Sequence, residues 1–157
     1  MTRRSLLASC AGLFALTLAP KHQAAAAETF EVTHTEAEWK KLLTAEQFSV
    51  LRKEGTEYPF TSPLNNEHRK GIFACAGCDL DLYSSDTKFD SHTGWPSFWD
   101  HLPGAIGQAR DTTFGMVRDA VHCHRCGGHL GHVFDDGPKP TGLRYCMNGV
   151  AMTFKPA

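Results

Sequence analysis

Beyond residue 27 the chain has no long apolar run, no low-complexity tract, no extended linker and no repeat except two short cysteine pairs. A membrane-spanning helix needs about 20 apolar residues, so stable insertion in a bilayer through such a helix is not expected. The missing linker points to one domain. Positive charge is also scarce. Residues 1–27 carry Arg3, Arg4 and Lys21 and no acidic residue, so the remainder has 16 − 3 = 13 basic residues against 17 acidic ones, a net charge near −4. Gripping phosphates requires a basic face, which argues against a nucleic-acid partner.

The first 27 residues read as an export signal. Arg3 and Arg4 precede an apolar stretch over residues 6–19, and the alanines at 24–27 supply small residues for cleavage after Ala27. Thr2-Arg3-Arg4-Ser5-Leu6-Leu7 has a twin-arginine pattern, with Leu6 where Phe is usual; a general secretory signal is the alternative. Cys10 lies at the front of the apolar stretch, whereas a lipidated cysteine follows its end, so Cys10 leaves with the signal. The expectation is an exported, periplasmic, monomeric protein of 157 − 27 = 130 residues, with residues 28–157 forming one domain.

Helical signals are confined to the front of that domain. Thr35 and Glu38 form a capping-box pattern ahead of Trp39, Leu42 and Leu43 at helical spacing. Thr44 and Gln47 repeat it ahead of Phe48 and Leu51, with Gly55 as the stop and Trp39 as a core anchor. From Gly71 onward the pattern is of short strands, at 71–74, 80–83, 116–121, 130–134, 143–147 and 150–154, with a turn at 135–138. The expected fold is mainly β and antiparallel, with short N-terminal helices.

Five cysteines remain after residue 27. Cys75-Ala76-Gly77-Cys78 and Cys123-His124-Arg125-Cys126 have the spacing of a closed four-thiolate zinc site, a structural staple with no open coordination position. Two disulfides are the alternative, because exported cysteine pairs usually oxidise. A twin-arginine route eases that conflict, since it exports chains already folded around their metal. A thioredoxin-type pair would sit at the start of a helix, whereas strand-like segments bracket both pairs here. Loss of one thiolate should remove much of the folding energy.

Cys146 is left over. In Arg144-Tyr145-Cys146-Met147-Asn148 an extended backbone puts residues 144, 146 and 148 on one face, flanking the sulfur with a cation and an amide. Positive charge favours the nucleophilic thiolate; a buried, inert cysteine is the competing explanation. His129 and His132 lie in a glycine-rich, non-helical segment a short turn away and can supply protons near neutral pH. Gly94-Trp95-Pro96-Ser97-Phe98-Trp99 offers aromatic packing, or a wall for a thioether or methyl group at Trp95.

These blocks resemble the B-type methionine sulfoxide reductases. The match runs through Cys75-x-x-Cys78, residues 94–98, Cys123-x-x-Cys126, residues 129–134, residues 136–138 and Arg144-Tyr145-Cys146-x-Asn148, and covers residues 35–155 in order. The resemblance implies a tent of two antiparallel β-sheets with a structural Zn2+ on Cys75, Cys78, Cys123 and Cys126, away from the active site. It implies that Cys146 attacks the sulfur of a methionine R-sulfoxide in oxidised proteins and becomes a sulfenic acid. His129, His132 and Asn148 then protonate or orient the oxygen, Asp136 and Arg144 position the nucleophile, and Trp95 and Phe134 bind substrate. Many members place a second cysteine just before the Gly-Trp-Pro block; here Thr93 stands there. The sulfenic acid would therefore be resolved by an outside thiol, a thioredoxin-like donor in an exported protein. A non-catalytic zinc-binding interaction module of the same fold is the rival. A zinc hydrolase or deaminase fails for want of an open metal position.

Overall fold

The computed structural model describes residues 28–157; the export signal expected at residues 1–27 lies outside them. Two helices open the described chain, α1 (Glu36–Leu42) and α2 (Ala45–Lys53). Each starts with the capping box read from the sequence: Thr35 with Glu38, and Thr44 with Gln47. A side-chain oxygen thereby satisfies an N–H that the first turn leaves without a partner. The stop differs slightly from expectation. Glu54, not Gly55, takes the left-handed position (φ 54°), while a Cβ at Gly55 would crowd Ser49.

Nine strands follow: β1 (Gly71–Cys75), β2 (Asp81–Ser84), β3 (Lys88–Phe89), β4 (Ser97–Phe98), β5 (Ile106–Asp111), β6 (Arg118–Cys123), β7 (His129–Phe134), β8 (Arg144–Met147) and β9 (Met152–Pro156). They form two antiparallel sheets, one in the order β2-β1-β9 and the other β3-β4-β8-β7-β6-β5. The mainly β expectation holds. Three strands went unread in the sequence. β3 and β4 have two residues each, and β5 runs through Gly107, Gln108 and Arg110 with no apolar alternation.

Between the sheets lies the core. Tyr83 stacks on Phe98 with ring centroids 4.4 Å apart, and Phe73 meets Phe98 edge-on at 4.9 Å. Leu82, Val121, Leu130 and Met147 are fully buried around them, each contributing about 1.5–3 kcal/mol by leaving water. The Tyr83 hydroxyl donates to the Met147 sulfur at 3.1 Å, satisfying a polar atom that burial would otherwise strand. Trp39 is 4% exposed, the anchor expected of it. Among the described residues no helix is long and apolar enough to cross a membrane.

β7 and β8 approach closely because Gly131 has no side chain. A Cβ there would land on the Cys146 carbonyl oxygen and come within 3.0 Å of Met147 Cα. Backbone cannot yield as a flexible side chain can, and overpacking costs about 1–3 kcal/mol. Gly131→Ala is therefore expected to lower the thermal midpoint by several degrees at unchanged metal content, measured by circular dichroism and metal analysis.

Candidate active site and metal centre

Each sheet contributes one hairpin turn to a cluster of four sulfurs. Cys75 and Cys78 close the β1–β2 turn, and Cys123 and Cys126 close the β6–β7 turn. All four Sγ atoms lie within 4.8 Å of one another. Cys75 and Cys126 are 3.7 Å apart, and Cys78 and Cys123 3.5 Å. A disulfide needs about 2.05 Å, whereas tetrahedral bonds of about 2.3 Å to a metal set sulfurs about 3.8 Å apart. The donor set fits one four-coordinate metal ion with no vacant position. Amide N–H groups support it: Gly77 N–H donates to Cys75 Sγ at 3.4 Å. Arg52 of α2 donates to the Cys126 carbonyl at 3.0 Å and approaches its Sγ at 3.8 Å, while its guanidinium rests 4.6 Å above the Trp39 ring. The helices are thus fastened to the metal turn.

Cys146 stands apart, in the middle of β8. Its pairing partners are His132 on β7 and Ser97 on β4. Strand alternation sends Tyr145 and Met147 into the core and turns Arg144 and Cys146 to the other face, where both are half-buried. Opposite residues in a sheet have side chains about 5 Å apart, so register alone brings His132 to the sulfur. A shift in the β6–β7 ladder between Val121 and His122 pairs His122 with His129. The His129 and His132 rings then meet edge-on, centroids 5.4 Å apart.

The two imidazoles have different surroundings. Burial, followed by the charge of His132, lowers His129 to about 4 from an ordinary 6.5, so it is neutral at neutral pH. His132 Nε2 lies 2.9 Å from Asp111 Oδ2, and Arg118 donates to the same oxygen at 2.6 Å. Asp111 also accepts from the Thr113 N–H and hydroxyl; those bonds first, then His132 and Arg118, hold its carboxyl well below the usual range. An ionised carboxylate only accepts, so Nε2 of His132 carries a proton. Asp111 fixes that ring and compensates positive charge developing on it. Nothing in the sequence singled out Asp111, because β5 was not legible.

Arg144 and Asp136 form a two-pronged pair, Nε to Oδ1 and Nη2 to Oδ2, both 2.8 Å. That pairing raises the Arg144 pKa and lowers that of Asp136. Arg144 also lies 4.4 Å over the ring of Phe134, its cross-strand partner, so Phe134 supports the cation. Around the sulfur, Thr93 Oγ1 lies 3.7 Å from Cys146 Sγ and 2.8 Å from Ser91 Oγ, which is 2.6 Å from Ser97 Oγ. A hydroxyl therefore borders Cys146 at the position before Gly94. Trp95 is held beside β8, since Met147 N–H donates to the Pro96 carbonyl at 2.9 Å.

Asn148 is buried and both ends of its amide are engaged. Nδ2 donates to the Leu130 carbonyl at 3.0 Å, and Oδ1 accepts from the Glu57 N–H at 3.0 Å. Glu57 is the second residue that sequence reasoning passed over, because a lone glutamate in a loop carries no signal. The structure thus gathers Cys146, His129, His132, Arg144 and Asn148 on and beside the paired strands β7 and β8. A cleft of about 750 Å³ lies elsewhere, between α2 and the segment after it, lined by Glu46, Val50, Glu57, Leu64, Val150 and others. Cys146 is absent from that lining, so we place the chemistry on the sheet face instead.

The SelR domain family matches residues 43–156, and the chain belongs to that family. Its relatives include a protein of Agrobacterium fabrum named peptide methionine sulfoxide reductase MsrB, 54% identical over 127 residues, covering 80% of this chain and 94% of the relative. A Methanosarcina barkeri protein of that name is 54% identical over 125 residues, covering 79% and 88%. One from Leptospira interrogans is 48% identical over 127 residues, covering 80% and 97%. The resemblance carried by the cysteine, histidine and aromatic blocks is borne out.

The lowered pKa of His129 has a consequence for stability. Between about pH 6.5 and 4 the unfolded chain binds a proton that folded His129 refuses, so stability falls as pH drops through that window. The loss is on the order of 3 kcal/mol at most. Urea unfolding at pH 7 and pH 5 should show a smaller acid-induced loss in His129→Gln than in the native protein, with metal content monitored in both.

Proposed function

We infer that the chain is a peptide-methionine (R)-S-oxide reductase in which Cys146 is the nucleophile and the four-sulfur cluster holds one structural Zn2+. Family membership supports the activity. The observation that carries the mechanism is the register of β7 and β8, which sets His132 opposite Cys146. The alternative of a binding module leaves that pairing, and the Asp111 carboxylate behind it, without a purpose.

In this reading the Cys146 thiolate attacks the sulfoxide sulfur while a proton passes to the oxygen. His132, backed by Asp111, is the donor; neutral His129 and the remaining N–H of Asn148 orient the oxygen. The S–O bond of the substrate breaks, methionine leaves as the thioether, and the hydroxyl ends on Cys146 as a sulfenic acid. Arg144, held by Asp136 and Phe134, places positive charge beside the reacting sulfur. Trp95 receives the methyl group. Cys75, Cys78, Cys123 and Cys126 would hold the zinc in a closed four-sulfur site, where it would supply folding energy at the sheet junction rather than chemistry.

An outside thiol then attacks the sulfenic acid, releasing water and leaving a mixed disulfide; a second thiol frees Cys146. Thr93 occupies the place from which an internal cysteine would act. Export on a twin-arginine signal would put this cycle in the periplasm, with a thioredoxin-like donor and oxidised proteins as substrates. Residues 1–27 support that placement by their pattern alone.

Two measurements test the reading. With dithiothreitol, the protein is expected to reduce R- but not S-methionine sulfoxide, and Cys146→Ser to abolish turnover while zinc stays at one per chain. R-reduction surviving that substitution would remove Cys146 from its role, and no reduction by the native protein would favour the binding module. Without thiol, one turnover should release one methionine per chain and leave Cys146 sulfenylated. A disulfide from Cys146 to Cys75, Cys78, Cys123 or Cys126 would overturn the outside-thiol step.

A further inference from the structure

The segment after α2 runs back across the end of β8, and one residue of it makes four hydrogen bonds there. Glu57 donates its N–H to Asn148 Oδ1 at 3.0 Å, and its carbonyl accepts from the Trp95 indole Nε1 at 3.2 Å. Its carboxylate accepts from two backbone N–H groups just past Cys146, Gly149 at 2.5 Å and Val150 at 2.9 Å. Three residues later, Phe60 N–H donates to the Gly94 carbonyl at 2.7 Å, beside Trp95. The fit is close: a Cβ at Gly149 would strike the Ser62 hydroxyl, and one at Gly94 would lie 2.7 Å from Pro59 Cβ.

A half-buried carboxylate in a loop is costly, and here burial raises the Glu57 pKa against the opposing pull of the Val150 and Gly149 N–H groups. No cation pairs with it among the described residues. Its partners are instead backbone groups of the turn that follows the nucleophile's strand. Those N–H groups open the 3-10 turn Gly149–Ala151, which is held at both ends by β8 and β9, so the turn anchors the carboxylate and, through it, the loop. Trp95 and Asn148 come from segments 53 residues apart (148 − 95 = 53), and Glu57 touches both.

We propose that Glu57 is a positioning residue: clamped on Gly149 and Val150, it holds the Trp95 indole and the Asn148 amide in fixed relation to Cys146. Its meaning for catalysis rests on the reductase reading above, in which Trp95 receives the substrate methyl group. Removing the carboxylate frees the loop, lets the indole swing from its carbonyl partner and leaves the thiol itself untouched. Substrate binding suffers before chemistry does, because misplacing a binding wall costs productive geometry.

The experiment compares Glu57→Ala and Glu57→Gln with the native protein in its zinc-loaded form. Glutamine keeps one acceptor but turns an NH2 group toward the second N–H, so it should fall between the other two. Hydrogen exchange at the Trp95 indole N–H, assigned by Trp95→Phe, is expected to quicken in that order, with Trp39 and Trp99 unchanged. KM for a peptide R-sulfoxide should rise roughly fivefold or more in Glu57→Ala, with kcat moving less. Alkylation of Cys146 by iodoacetamide should keep its native rate. Native exchange at the Trp95 indole in both variants overturns the proposal, and so does a loosened indole with unchanged KM. If Glu57→Ala loses its zinc, the glutamine variant decides. A native protein that reduces no sulfoxide defeats the reductase reading alone, while indole exchange still decides whether Glu57 holds Trp95.

Discussion

Four sulfurs drawn from two hairpin turns tie one sheet to the other, and the geometry of the site descends from that tie. The β1–β2 turn belongs to the small sheet and the β6–β7 turn to the large one. A single metal ion held by all four would span both turns and fix where β7 begins. Three residues past Cys126, β7 opens on His129, and its antiparallel pairing with β8 leaves little freedom in what faces Cys146. Slippage by one residue would exchange His132 for Gly131 or Val133 and send the histidine to the opposite face. A metal held there would take no part in the proposed chemistry and would still set the register on which it depends. Arg52 extends the constraint to the helices, because the same guanidinium meets the Cys126 turn and the Trp39 ring.

Given that register, the polar groups on the sheet face divide their labour by environment rather than by residue type. Two histidines three residues apart would titrate alike in water. Here one is buried with no ion-pairing partner and stays neutral. The other shares a carboxylate with Arg118. Asp111 can serve both through Oδ2 because its other oxygen, Oδ1, accepts from the Thr113 N–H and hydroxyl, which fixes the carboxylate's orientation. The same side chain is thus placed in two electrostatic settings, which is what the proposed division into proton donor and neutral hydrogen-bonding partner requires.

Legibility in the sequence followed the strength of local rules. The capping boxes at Thr35 and Thr44 were readable because each is a short-range pattern with a fixed spacing, and both form as read. Cys146 on one face with Arg144 was readable from alternation alone. The paired cysteines announced a cluster, since their spacing is set by coordination geometry rather than by the surrounding fold. What failed was everything that depends on pairing between distant segments. β4 has two residues, and only its pairing with β3 and β8 makes it a strand. Asp111 closes a strand with no apolar alternation and meets His132 across β6, 21 residues away in the chain. Glu57 and Asn148 are 91 residues apart, and no local pattern connects them. Asn148 was expected beside the sulfur by alternation, but it lies just past β8, and its engagement with Leu130 and Glu57 was not legible.

Engagement in the four-sulfur cluster, more than exposure, sets Cys146 apart from the other sulfurs. Cys75, Cys123 and Cys126 are 1%, 0% and 2% exposed, whereas Cys78 and Cys146 are both half-buried. Thiol exchange requires a reagent to approach along the line of the bond it will break, so a buried ligand inside a closed cluster is a poor target even when ionised. Cys146 lies outside that cluster, as the proposed attack by an outside thiol requires. The side chain bordering that sulfur on the Trp95 side, Thr93, offers a hydroxyl that can hydrogen-bond to an oxidised sulfur but cannot form a disulfide with it. In the proposed cycle the four clustered sulfurs are engaged together while Cys146 stays outside them on the sheet face, so regeneration would fall to a thiol entering from that face.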